Sequence, residues 1–536
     1  MLRATGRNDE ALARPFVGIF HAFSDVSPCN LNHRELAAAA RRGIEAAGGT
    51  AFEFSTIAVT DGIAMGTSGM RASLVSRELI ADSIELAVIG HGLDAALCIV
   101  GCDKTIPAAA MALARLDLPG LVLYGGSIQP GCHRGRMITI QDVFEAVGAF
   151  AAGRIDQHEL LAIEKAACPG AGACGGQFTA NTMALALAFL GLAPMAESEL
   201  PATHPEKAAA AERAGAMLMR LLREGKSARS FLAAESFANA IAAVVATAGS
   251  TNAVLHLLAI AREAGVPLSL EDFDRISRRT PVVADLKPTG RFTATEMHAA
   301  GGARLLARHL FAGGLIHDRP TVSGRSLAEE AALACEAPAQ EVLRPLSAAL
   351  RPQGGFVILR GTLAPEGAVL KLPADGRQRF LGPARVFDGE EAAFAAVQAG
   401  SIRPGEVVLI RGEGPVGGPG MREMLAVTAA LVGQGLADSV ALITDGRFSG
   451  ATHGFMVGHI CPEAARLGPI AFLRDGDPVL IDAVAGLIDT PADLTGREAS
   501  YRPPRPAPEA GALARYAATV SSAATGACTA FPSPRC

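Results

Sequence analysis

The sequence predicts an α/β protein in two parts: an N-terminal α/β part with a mainly parallel sheet, residues 1–345, and a β-rich, barrel-like part, residues 346–536. Three observations predict it. Through the first half of the chain, short β-branched runs alternate with long Ala-rich segments of helical period, the pattern of strand–helix–strand units. Near residue 340 that rhythm gives way to short β runs between glycines. Half of the 536 residues are hydrophobic and only 19% are charged, so the chain is long and apolar enough to bury large cores.

The elements follow in order. "NHRELAAAARRGIEAAGG" reads as a helix, with Asn32 as its N-cap and Gly48 as its stop. "LAVIG", "ALCIVG" and "LPGLVLYGG" read as strands. Ser236 to Ala261 carries no charged residue, yet "GSTN" interrupts it, so a buried helix–turn–helix is expected there and not a membrane span. "ACEAPAQEVLRPLSAALRPQGG" reads as a transition. After it "GFVILRG", "AVLKL", "ARVF", "EVVLIRGEG", "SVALITDGRFSG" and "DPVLIDAVAGLIDT" read as strands. The chain closes on a Pro-rich strap, one helix and a Gly/Ser/Pro tail.

Composition excludes several function classes. Net charge is −5 with both signs scattered, and no basic block or basic amphipathic helix points to nucleic acid or a membrane surface. Trp is absent and Tyr numbers three, which removes stacking platforms for single strands. "MLRATGRNDEALARPF" lacks the apolar run of a signal peptide, so a cytoplasmic protein is expected. Ten cysteines without a CxxC pair read as buried thiols or metal ligands.

Reactive side chains gather among turn-forming residues in five stretches. These are "SDVSPCNLN" around Cys29, "GCDK" with Cys102, Asp103 and Lys104, "CPGAGACGGQFTANTM" around Cys174, "GEGPVGGPGMREM" with Glu423, and "ITDGRFSGATHGF" with Ser449. Thiolates from three loops suit an iron–sulfur cluster as well as zinc, and spacing leaves Cys168 in competition with Cys174. Asp103, Glu423 and Asp61 are candidate ligands for a hard cation such as Mg²⁺, while Asp-Gly at Asp61 and at Asp445 reads equally as turn chemistry. The glycines of "GEGPVGGPG" lack the Lys-Ser/Thr ending of a phosphate-binding loop.

Together with "GSTNAVLHLLAIA", "DLKPTG", "GTLAPEGAVLK" and "TDGRFSGATHGFMVGH", these stretches resemble, in order and from about Met1 to Thr529, the dihydroxy-acid and sugar-acid dehydratase superfamily. "FEFSTIAVTDGIAMG", "SGATHGFMVGHICPEA" and "ARYAATVSSAATGA" look most like its branched-chain dihydroxy-acid dehydratases. The resemblance implies a hydro-lyase, a homodimer, and a small 2,3-dihydroxy acid as substrate, converted to a 2-keto acid in valine and isoleucine biosynthesis. It implies Cys29, Cys102 and Cys174 as cluster ligands, with Cys168 structural, and a thiol at position 29 resembles the members with a [2Fe–2S] cluster. Asp61, Asp103, Glu423 and an N-carboxylated Lys104 are the implied Mg²⁺ ligands, and Ser449 the implied proton acceptor. An open iron position would then act as a Lewis acid on the leaving hydroxyl. "GMRASLVSRE" places Ala72 and Val75 where this family often has an aromatic residue and a proline, a change that can reshape the pocket. The alternatives are a paralogous dehydratase for a sugar acid or specialised metabolite, and a non-catalytic iron–sulfur sensor.

Overall fold

Four strands, β1 (Phe16–His21), β2 (Thr50–Ser55), β3 (Ala95–Val100) and β4 (Gly120–Tyr124), form a parallel sheet in the order β2-β1-β3-β4. The computed structural model describes residues 1–373, 376–452, 454–498, 501–503, 508 and 510–529. β3 and β4 are buried at every position. Helices cover both faces, which is why "ALCIV" and "LVLY" read as unbroken apolar runs and not as alternating ones. A short antiparallel hairpin, β5 (Gly131–His133) with β6 (Arg136–Ile138), lies after β4.

Two local expectations change. "LAVIG" is not a strand: it closes the helix Arg71–His91. Its Val88 faces the core while Leu86 and Ile89 face outward, so a short apolar run fitted either period. Asn32 precedes the helix His33–Ala46 as expected, but its side chain does not cap it. The Nδ2 donates instead to Gly125 O at 2.8 Å, tying the helix start to the end of β4. Gly48, at φ +90°, follows the helix end as the predicted stop.

The uncharged stretch folds as expected into two buried helices, Ala234–Ala246 and Asn252–Ala264, joined at "GSTN". No helix among the described residues is long and apolar enough to cross a membrane. The transition holds one short turn of 3₁₀ helix, Leu346–Ala348, and is laid back along the first part through bridges of Leu343 to Ala284 and Arg351 to Val282.

Eight strands then close a barrel. In chain order they are β7 (Phe356–Gly361), β8 (Ala364–Lys371), β9 (Arg379–Asp388), β10 (Val407–Arg411), β11 (Ala441–Thr444), β12 (Phe455–Cys461), β13 (Pro478–Asp482) and β14 (Leu487–Asp489). Around the barrel they run β10-β11-β12-β8-β7-β14-β13-β9, with parallel pairing among β9, β10, β11 and β12. Side chains alternate: Leu409 and Ile443 fill the interior, and Val408, Ile410 and Leu442 pack outward with Val397, Val427 and Leu431 of the helices Glu390–Gln398 and Leu425–Gly433. The sequence reading does not single out β12, whose β-branched run is broken by Gly458 and by His459 at φ +56°. The predicted late helix is Gly511–Thr519. Much of the Pro-rich strap and the last seven residues lie outside the described ones.

Candidate active site

In a parallel sheet, loops at the carboxyl ends of the strands make a crevice where the strand order reverses. Here that point lies between β1 and β3, because the chain goes from β1 to β2 on one side and returns to β3 on the other. The loop after β1 carries Cys29, the loop after β2 carries Asp61, and the turn after β3 carries Cys102, Asp103 and Lys104. Ala173 bridges to Ser127 just after β4 and brings Cys174 to the same edge. From the barrel, the loop after β10 supplies Glu423 and the loop after β11 supplies Ser449. Cys29, Cys102, Cys174, Asp61, Asp103, Glu423 and Ser449 all line one chamber, and Cys168 lines it too.

The acidic side of the chamber is buried and crowded. One carboxylate oxygen from each of Asp61, Asp103 and Glu423 lies within 4.8 Å of the others, and all three residues are buried. Lys104, 1% exposed, sits among them. Its Nζ donates to Asp61 Oδ2 at 2.7 Å and Glu423 Oε1 at 3.3 Å, and stands 3.8 Å from Asp103. Burial opposes the ammonium charge, but Asp61 and Glu423 outweigh it and hold the Lys104 pKa above its usual value. Burial first, and Asp61 next, push Asp103 up to about 7. Three carboxylates packed this closely demand positive charge, so the set fits a hard divalent cation.

The thiol side has a different chemistry. Cys29 is raised well above its ordinary pKa, first by its hydrogen bond with Cys102 and then by burial. Burial, then Asp103 and Cys102, raise Cys174 as well. Clustered thiols give up protons in exchange for a soft metal, and hard oxygens beside soft sulfurs suit two different metal centres. The Cys174 loop is pinned from behind: Asn181 Nδ2 donates to Cys174 O at 2.5 Å and Gly176 O at 2.7 Å, and Tyr124 O–H donates to Asn181 Oδ1 at 2.7 Å. Ser449 is half-buried, and its Oγ accepts from Ala451 N at 3.3 Å.

The rest of the chamber wall is mostly apolar, with Ile63, Met65, Ile128, Ile140, Phe144, Phe178 and Leu425, and Thr60 and Thr179 line it as well. Ala72 and Val75 are not part of it. Ala72 is exposed, and Val75 packs with Leu74, Leu255 and Met421. Their stretch reaches the site through Ser73 instead, whose Oγ donates to Asp61 Oδ1 at 2.6 Å. The Asp445 carboxylate ties neighbouring loops together, accepting from Gly412 N, Glu413 N and Ala464 N. In "GEGPVGGPG" the amides of Val416 and Gly417 donate to the Glu463 carboxylate, so they are not presented to a phosphate.

Sequence reasoning missed Ser73, Asn181, Asn252 and Arg447. All four lie in stretches it quoted, "GMRASLVSRE", "TANTM", "GSTN" and "TDGRFSG".

Family models and relatives both match the chain over most of its length. Residues 14–330 match the family model described as dihydroxy-acid/6-phosphogluconate dehydratase N-terminal, and residues 341–527 match its C-terminal counterpart. The chain is 55% identical to a dihydroxy-acid dehydratase of Roseiflexus sp. (strain RS-1), over 99% of this chain and 96% of that protein. It is 54% identical to one from Thermus thermophilus, over 98% and 96%, and 53% identical to one from Koribacter versatilis, over 99% and 93%.

Proposed function

The chain belongs to the dihydroxy-acid/6-phosphogluconate dehydratase family and is a hydro-lyase, and on that basis we propose that it dehydrates 2,3-dihydroxy acids with a branched alkyl side chain. (2R)-2,3-Dihydroxy-3-methylbutanoate and related 2,3-dihydroxy acids are the substrates, and their 2-keto acid products belong to branched-chain amino acid biosynthesis. One observation carries this choice: the chamber sets its thiols, carboxylates and Ser449 against a wall that is mostly Ile, Met, Phe and Leu, with Thr60 and Thr179 as its other hydroxyls. An alkyl group gains from that wall, whereas each sugar hydroxyl left unpaired there costs about 1–3 kcal/mol.

In this reading Cys29, Cys102 and Cys174 hold a [2Fe–2S] cluster, and Asp61, Asp103, Glu423 and an N-carboxylated Lys104 hold Mg²⁺. When bound, the two centres supply Lewis acidity for the leaving 3-hydroxyl and for the carboxylate with its neighbouring 2-hydroxyl. Ser449 does the proton work. Its Oγ, as alkoxide, takes the proton from C2; the C2–H electron pair becomes the C2=C3 bond as the C3–O bond breaks. The departing hydroxide takes that proton from Ser449 and leaves as water, restoring the alkoxide, and the enol tautomerises to the keto acid. The apolar wall orients the alkyl group and keeps bulk water from the enol. All nine cysteines among the described residues are free, which suits a reducing compartment, the cytoplasm.

The test is anaerobic reconstitution of the full chain, then keto-acid release over a panel of branched dihydroxy acids and aldonates. We expect kcat/KM for the branched acids to exceed that for aldonates by at least about tenfold, the worth of a few apolar carbons. Equal or reversed preference would defeat the substrate assignment. A two-iron spectrum with no turnover of either class would favour the sensor reading.

A further inference from the structure

We infer that Arg447 and Asn252 are positioning residues that restrict Glu423 to one-oxygen ligation of the divalent cation, an inference that rests on the metal site proposed above. The two oxygens of Glu423 are treated very differently. Oε1 accepts from Arg447 Nη1 at 2.6 Å and Asn252 Nδ2 at 2.9 Å, besides Lys104 Nζ at 3.3 Å. Oε2 is buried without any hydrogen-bond partner among the described residues. A buried carboxylate oxygen without a donor is costly, and a carboxylate free to rotate would share its donors between both oxygens. The asymmetry is therefore imposed by the donors.

Those donors cannot follow a rotation. Arg447 and Asn252 are both 0% exposed. Arg447 Nε donates to Met421 O at 2.7 Å, and its Nη1 also donates to Asn252 Oδ1 at 3.3 Å. That contact fixes the amide: Oδ1 faces a guanidinium that only donates, so Nδ2 faces the carboxylate that only accepts. Asn252 Nδ2 is held further by Thr179 Oγ1 at 3.0 Å. The backbones are in register as well, because Glu423 and Arg447 pair as a parallel bridge, with Met424 N donating to Arg447 O at 3.0 Å.

The consequence is a matter of counting. Mg²⁺ prefers six oxygens in near-octahedral geometry. One oxygen each from Asp61, Asp103, carboxylated Lys104 and Glu423 leaves two positions, the number a 2-hydroxy carboxylate uses through its carboxylate and adjacent hydroxyl. A Glu423 free to chelate through both oxygens would leave one. Ser73, donating to Asp61 Oδ1, restrains a second ligand in the same manner.

The experiment uses the full chain with its cluster reconstituted, Mg²⁺ stripped with EDTA, and Mn²⁺ as probe, followed by electron paramagnetic resonance. Arg447→Lys and Asn252→Ala are expected to weaken Mn²⁺ binding at least about tenfold, as losses behind a metal ligand do. The Mn²⁺ hyperfine pattern should change while iron content and the visible cluster spectrum do not. Excess Mn²⁺ should restore kcat and leave the substrate KM raised. Should Asn252→Ala prove insoluble, Arg447→Lys, which keeps the charge, carries the test. Mn²⁺ affinity and substrate KM within about twofold of wild type in these variants, with Glu423→Gln losing Mn²⁺, would overturn the inference and spare the metal site. A lowered melting midpoint in EDTA with unchanged Mn²⁺ affinity would likewise overturn it. Wild-type affinity in Glu423→Gln would remove the metal site itself, and the clamp with it.

Discussion

Among single residues, the proposed acid–base work falls on Ser449, which sits where the turn after β11 opens on the chamber. Ser449→Ala is expected to cost at least ~3 orders of magnitude in rate, about 4 kcal/mol in the barrier to proton removal, while substrate binding persists. A serine that only accepted the Ala451 amide would cost about 1 kcal/mol of stability and little rate. Deuterium exchange at C2 separates the two, since wild-type exchange in Ser449→Ala would assign the base elsewhere. The thiols carry a second expectation. Cys29→Ser, Cys102→Ser and Cys174→Ser should each lose the cluster and all activity, and Cys168→Ser should keep both. Cys168 lines the same chamber, so proximity alone does not separate it, and iron analysis of the four variants decides. A loaded Cys174→Ser beside an iron-free Cys168→Ser would exchange their roles.

Between elements, the turn from β3 into the helix Thr105–Leu116 works because Gly101 has no side chain. A Cβ there would lie 2.0 Å from Cys29 O and 2.8 Å from His33 Nε2. The loop after β1 and the turn after β3 thus touch backbone to backbone, which sets Cys29 beside Cys102. Gly101→Ala must push the Cys29 loop away. The expected result is a chain with wild-type helix content by circular dichroism and less than half the wild-type iron after reconstitution. Full iron content would show that the thiols do not need this close approach.

For the whole molecule, both parts contribute to one chamber, so neither part is a complete site. We propose that they meet at 345/346, where the transition crosses from the parallel-sheet part to the barrel. The core around the parallel sheet also takes in Phe356, Ile358 and Val369 of β7 and β8, which joins the parts into one packed body. We further propose a homodimer. Leu79, Leu86 and Ile89, at 36%, 70% and 65% exposure, form an outward apolar stripe on the helix Arg71–His91. Light scattering at micromolar concentration should give twice the 54.9 kDa of one chain, and Leu86→Lys with Ile89→Lys should shift it toward a single chain. A monomeric wild type would remove the proposal.

Fold class and the reactive residues were legible along the chain. Parallel strands buried on both faces leave continuous apolar runs, and loops that present chemistry need glycine, proline and aspartate around it, so both signals are local. Locality is also where the reading failed. "LAVIG" is too short for its period to choose between strand and helix, and the Arg71–His91 helix claims it because Val88 packs on the core. β12 is a strand only because β11 and β8 flank it, despite its Gly458 and His459. Packing in three dimensions settled which polar residues stand behind the site. Asn252 reaches Glu423 across 171 residues of chain, and Ser73 reaches Asp61 from a helix whose sequence pointed to Ala72 and Val75. An Asn or Ser carries no signature of its partner, because a hydrogen bond between distant residues is set by how the elements pack and not by the spacing along the chain.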